Sequence, residues 1–139
     1  NFNGNVNILT NIYKNDNFNL DDLKNTCPFR INIYKMGSKF DKLIDNCDII
    51  FCGGGTTLLE SCYIGIPSIV FPQNKRELIF SQMIEKNKAT CVIKDINKEM
   101  KKIHKIINGT ILRKKMQRSQ LSLVDGRGKE RIMKAILNL

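Results

Sequence analysis

DIIFCGGGTTLLE, residues 48 to 60, runs an apolar segment into three glycines, two threonines and then, one helical turn past the first threonine, a glutamate. Asp48 to Cys52 reads as a short buried strand, Gly53 to Gly55 as a turn without side chains, and Thr56 onward as the first turn of a helix. Glycines let backbone N–H groups approach an anion closely. The helix start adds unpaired N–H groups and the positive end of its dipole, so the stretch reads as an anion cradle. It satisfies neither the Walker pattern, which needs Gly-Lys-Ser/Thr after four intervening residues, nor the dinucleotide fingerprint G-x-G-x-x-G. The residues specify an anion site without specifying the anion.

Outward from this turn, apolar runs and breakers alternate. Val6 to Thr10 reads as a strand, followed by a short helix capped by Asn19 with acids in its first turn. Arg30 to Tyr34 is a second strand, and Ser38 to Cys47 a helix with Phe40, Leu43 and Ile44 on one face. The third strand, Ile49 to Cys52, leads through the glycine turn to a helix from Thr56 to about Ile64, stopped by Gly65. Pro67 to Phe71 is the fourth strand, Arg76 to Asn87 a helix, and Thr90 to Ile93 the fifth strand. Two or three helices finish the chain, with the turn Asp125-Gly126-Arg127-Gly128 before the last. Near-continuous apolar strands alternating with helices imply a parallel sheet buried on both faces. The expected fold is therefore α/β, a doubly wound, Rossmann-like parallel sheet of about five strands, in a single domain over residues 1–139. Ligands of such sheets bind beyond the carboxyl ends of the strands, where Gly53 to Gly55 fall.

With 139 residues, 42% hydrophobic and 26% charged, the chain is of ordinary single-domain size and globular composition. No apolar run approaches the roughly 20 residues of a membrane span, and the Asn-rich start lacks the basic-then-apolar order of a signal peptide. A soluble, cytoplasmic protein is the expectation. Five cysteines (Cys27, Cys47, Cys52, Cys62, Cys91) are odd in number and form no C-x-x-C pair, so they read as free thiols. The single histidine, His104, lies in a basic helix and reads as an exposed bystander, so no metal site and no cofactor are expected. The formal net charge is +10, and Lys94 to Arg118 holds nine basic residues against two acidic. No aromatic residue interleaves these charges to stack bases, so a solvated helical face is expected and nucleic acid is not. Such a face leaves a peripheral membrane contact open.

The run CDIIFCGGGTTLLESCYIGIPSIVFPQN, Cys47 to Asn74, resembles the nucleotide-binding core of the C-terminal domain of GT-B enzymes that use UDP-sugars, of which the lipid II-forming N-acetylglucosamine transferase is a familiar member. The closing stretch SLVDGRGKERIMKAI, Ser122 to Ile136, is similar to the end of the UDP-sugar hydrolases of pseudaminic acid synthesis and their spore coat polysaccharide relatives. The two motifs together cover about a third of the chain.

The resemblance implies that Gly53, Gly54, Gly55, Thr56 and Thr57 hold the UDP diphosphate, with Thr56 able to cap its own helix. Glu60, one turn past Thr56 on the same face, matches the family's ribose-binding carboxylate, a role that suits a pure acceptor. Where the family places Asn-Gln after the fourth strand, this chain runs Pro72-Gln73-Asn74-Lys75-Arg76-Glu77, with Arg76 and Glu77 at those two positions. Gln73, Asn74 and Arg76 stay within reach of the ligand, and Asn74 joins the candidate set. Gly65-Ile66-Pro67 reads as a helix stop and strand start, and Asp125 to Gly128 as a turn and helix cap. No catalytic residue is assigned. The family's base, a histidine in the hydrolases, belongs to an N-terminal domain, and neither that domain nor the first strand of the C-terminal domain has a counterpart here. In the strand order 3-2-1-4-5-6 the Val6 and Ile49 strands then flank an empty slot. The implied function is UDP binding within an enzyme that hydrolyses a UDP-linked amino sugar, with the fragment inactive alone. Glycosyl transfer uses the same cradle. A basic, non-catalytic module binding nucleic acid or a protein is the alternative of another class.

Overall fold

The computed structural model describes residues 4–10, 14–15, 18–35, 37 and 40–137. They form two compact units, Asn1–Cys47 and Asp48–Leu139.

In the first unit, β1 (Asn5–Thr10) pairs in parallel with β4 (Arg30–Lys35), from Asn5 opposite Arg30 to Thr10 opposite Lys35. Between them lie the two-residue strands β2 (Lys14–Asn15) and β3 (Phe18–Asn19), antiparallel to each other, and helix α1 (Leu20–Thr26). Asn19 caps α1 as its sequence predicts: the side-chain oxygen accepts from Asp21 N–H at 3.0 Å, and Asp21 and Asp22 sit at the positive end of the dipole. Leu20 and Ile31 are buried. The β2–β3 ladder is absent from the sequence reading, because KNDNFN is too polar to show strand alternation. The next helix, α2, spans Phe40–Ile44. Its predicted start at Ser38 lies outside the described residues.

The second unit runs β5 (Ile50–Cys52), α3 (Thr56–Ile64), β6 (Ser68–Val70), α4 (Lys75–Lys86), β7 (Thr90–Val92), then α5 (Ile96–Asn108), α6 (Thr110–Leu123) and α7 (Gly128–Leu137). The strands form a parallel sheet in the order β5-β6-β7, with Cys52 opposite Val70 and Val70 opposite Val92. Successive side chains of a strand point to opposite faces, and β6 shows it. Val70 packs with Leu58, Cys62, Ile84 and Ala89, whereas Ile69 packs with Ile93, Ile103, Ile106 and Met116. Residues from α3 and α4 thus cover one face, and residues from α5 and α6 the other. A buried polar chain fixes α6 to the sheet: Gln120 Nε2 donates to Ile66 O at 2.8 Å and to Ser68 Oγ at 3.3 Å, and Ser68 Oγ meets Thr90 Oγ1 at 2.9 Å.

The expected single sheet of about five strands is corrected. The chain is α/β, but its long parallel strands fall in two sheets, β1-β4 and β5-β6-β7. The first sheet belongs to the first unit and the second to the second.

Cys27, Cys52, Cys62 and Cys91 are in no disulfide; Cys62 is buried and the other three are half-buried. Among the described residues, no helix is long and apolar enough to cross a membrane, and no cluster of His, Cys, Asp and Glu could hold a metal ion.

Candidate functional site

β5 ends at Cys52, and the chain turns through Gly53–Gly55 into α3 at the carboxyl edge of the three-stranded sheet. Gly55 is the N-cap of α3, so no side chain caps this helix. That corrects the capping role expected of Thr56, which is already the first helical residue: the glycines extend the turn until the first side chain arrives inside the helix. The N–H groups of Thr56 and Thr57 precede the first i→i−4 carbonyl and are donors without an intrahelical partner. Gly55 and Thr56 are exposed, Gly53 and Thr57 are half-buried, and Gly54 is buried.

Helix α3 buries Leu58, Ser61 and Cys62. Thr56, Glu60 and Tyr63, spaced four and three apart, occupy the opposite, exposed face. Glu60 meets no hydrogen-bond partner among the described residues. At its far end α3 stops at Gly65, which takes a left-handed φ of 85° while its N–H donates to Ser61 O at 2.9 Å. Asn74 is exposed and caps α4: its Oδ1 accepts from Glu77 N–H at 2.9 Å, so the side chain is engaged in starting the helix.

The residue that sequence reasoning passed over is Glu77. Its Oε2 accepts from Gly54 N–H at 2.8 Å and from Gln73 N–H at 2.9 Å, while Asn74 Nδ2 approaches Oε1 at 3.4 Å. One carboxylate therefore joins the loop after β5 to the loop after β6. The N–H groups of Gln73 and Gly54 hold its pKa below the ordinary glutamate value, because both donors favour the ionised form. The motif Asn74-x-x-Glu77 is a variant of the capping box, and that pattern was the available signal for a helix starting at Lys75. Nothing in it points to Gly54.

The three glycines consequently differ. A Cβ on Gly54 would lie 2.8 Å from Glu77 O and 2.9 Å from Glu77 Cβ, so close packing against the start of α4 requires glycine there. One on Gly53 would meet Glu77 Oε2 at 3.3 Å, and one on Gly55 would meet nothing within 4 Å. At the end of β5, burial pushes the Cys52 thiol up to about 12, with Cys62 and Glu77 adding to it. It is a protonated packing group, not a nucleophile.

The second motif is built locally. Val124 packs against the core cluster that contains Leu58 and Val70. Asp125 accepts from Arg127 N–H at 3.0 Å and from both terminal nitrogens of Arg131 at 2.8 and 2.9 Å. Arg131 holds the Asp125 carboxyl well below the usual carboxylate range. Gly126 has φ 73°, and a Cβ there would lie 2.6 Å from Tyr63 Cε2 of α3. On α5, Lys98 pairs with Asp95 at 3.2 Å and Lys102 with Glu99, and His104 is exposed.

The N–H groups of Gly55, Thr56 and Thr57 open the helix without intrahelical partners, and Glu60 lies on the exposed face of α3. Compared with known proteins, the chain matches no family model and no curated protein.

Proposed function

We propose that this chain is the UDP-binding domain of a nucleotide-sugar enzyme that hydrolyses a UDP-linked amino sugar to UDP and the free sugar, in surface polysaccharide or nonulosonic acid biosynthesis. The observation that carries the reading is the turn itself: a glycine-rich loop at the carboxyl edge of a parallel sheet, opening into a helix whose first N–H groups are unpaired. Glu60 on the exposed face of α3 supports a ribose contact, and the two sequence motifs support the choice of UDP. The pairings β4-β1 and β5-β6-β7 are those that the strand order 3-2-1-4-5-6 gives on each side of its first strand, which supports a GT-B-like C-terminal half.

In this role the domain binds the diphosphate and stabilises the charge on departing UDP through backbone N–H donors, which need no reorganisation during the reaction. A base on another domain activates the water. Titration calorimetry with UDP tests the reading. Binding that weakens by about tenfold in Glu60→Ala, the loss of one charge-assisted pair of hydrogen bonds, is the expected result. No UDP binding at millimolar concentration, together with salt-sensitive RNA binding, would instead establish the basic non-catalytic module.

A further inference from the structure

We infer that Glu77 sets the charge the glycine turn accepts: a carboxylate built into the turn favours a diphosphate whose terminal phosphate is esterified over one whose terminal phosphate carries an extra charge. This rests on the nucleotide reading above and adds to it a rule for the ligand's end group.

Gly54 N–H, the central donor of the turn, is not available to a ligand. It is buried and given to Glu77 Oε2 at 2.8 Å, and the same oxygen takes Gln73 N–H at 2.9 Å. The backbone of Glu77 lies against Gly54 so closely that no Cβ fits between them. The carboxylate is therefore part of the loop architecture. The donors left for a ligand, on Gly55, Thr56 and Thr57, begin one residue along the chain, about 3.8 Å from Cα to Cα. A phosphate held by them shares its surroundings with a fixed negative charge.

A terminal phosphate adds a second ionisation near pH 6 and carries close to two charges at pH 7, whereas an esterified phosphate carries one. Like charges repel, and next to a partly buried carboxylate the repulsion is incompletely screened. The turn then holds a UDP-sugar, esterified at its terminal phosphate, better than the UDP produced from it. For a hydrolase this speeds product release, a step that limits many turnover rates. Glu77 acts here as a specificity-determining group through its charge.

The test is calorimetry on the chain with three ligands, UDP, its β-methyl ester, which differs from UDP by one ionisation and a methyl group, and inorganic pyrophosphate, using the wild type and Glu77→Gln. Glutamine keeps an oxygen for both N–H donors. UDP should bind about three- to tenfold tighter to Glu77→Gln than to wild type, with a smaller gain for the ester and a difference that shrinks at high salt. Equal gains for both ligands, or none while UDP still binds, would overturn the charge rule and leave the nucleotide reading standing. If circular dichroism shows Glu77→Gln unfolded, the wild type decides: UDP bound more tightly than the ester overturns the rule, and the ester bound at least as tightly upholds it. If only inorganic pyrophosphate binds, and binds tighter to the variant, the rule holds and the uridine assignment falls. Absence of binding by all three ligands sinks both.

Discussion

Two turns of this protein place a glycine beside a carboxylate, and they are assembled in opposite ways. At Gly53–Gly55 the carboxylate comes from Glu77, 23 residues beyond Gly54 and on another helix. At Asp125–Gly128 it belongs to the turn itself, with partners only two and six residues on. The first tie joins the two loops that lead from successive strands into α3 and α4, so its loss is felt in both crossovers. The second shapes the joint between α6 and α7, whose own residues are largely exposed. What glycine is worth at a position therefore depends on what packs there more than on the motif that contains it.

The largest expected effect is Gly54→Ala. The new methyl would meet Glu77 main-chain oxygen at 2.8 Å, and backbone cannot step aside as a flexible side chain can. Overpacking of this kind costs about 2–3 kcal/mol. Gly55→Ala, with nothing within 4 Å of its Cβ, should cost only what a poorer N-cap costs, about 0.5–1 kcal/mol. Urea denaturation of both variants measures the difference. Equal losses would mean that the glycines share one backbone requirement and that contact with α4 is incidental.

Next in size is Gly126→Ala. The left-handed φ of 73° costs an alanine about 1–2 kcal/mol, and the methyl would press on Tyr63. Tyr63 is 57% exposed and its ring can swing outward, so the clash is relieved where that at Gly54 is not. Repeating the substitution in a Tyr63→Ala background separates strain from contact. A cost that stays near 1–2 kcal/mol there assigns it to the backbone, and one that vanishes assigns it to the ring.

The same contrast explains what could be read in advance. Helix α3 was legible, from Thr56 to about Ile64 with its stop at Gly65, because glycines bound it on both sides. The three strands after Asp48 and both core faces were legible from apolar runs. The division into two sheets was not, since pairing is decided by which strand stands next in space and not by any strand's own composition. Asp125 was readable as a turn and cap residue because its partners are near in sequence. Glu77 was not readable as the partner of Gly54: a run of glycines signals that something approaches closely, but the approaching group lay beyond a whole helix and strand. The cradle was legible as a shape, and its internal anion was not.

The smallest effect concerns pH, and it separates the two carboxylates by what ionises them. Glu77 and Asp125 both have folded-state pKa values below their ordinary ones, as does Glu99, held at about 2 by Lys102 and the N–H groups of Lys94 and Asp95. A group depressed on folding contributes stability that is fully present above its unfolded pKa, near 4, and lost as pH falls through the folded value. Thermal midpoints should therefore be flat above about pH 5 and fall below about pH 4, less steeply in Glu77→Gln and in Asp125→Asn than in wild type. Salt then distinguishes them. Asp125 is held chiefly by the exposed guanidinium of Arg131, an ion pair that about 0.5 M salt screens, so its share of the slope should shrink. Glu77 is held chiefly by neutral backbone N–H groups, which salt does not screen in the same way, and its share should persist. Equal salt sensitivity in the two variants would show that long-range charge, and not the local donors, keeps Glu77 ionised. The carboxylate would then be a member of a surface ion network instead of a built-in part of the turn.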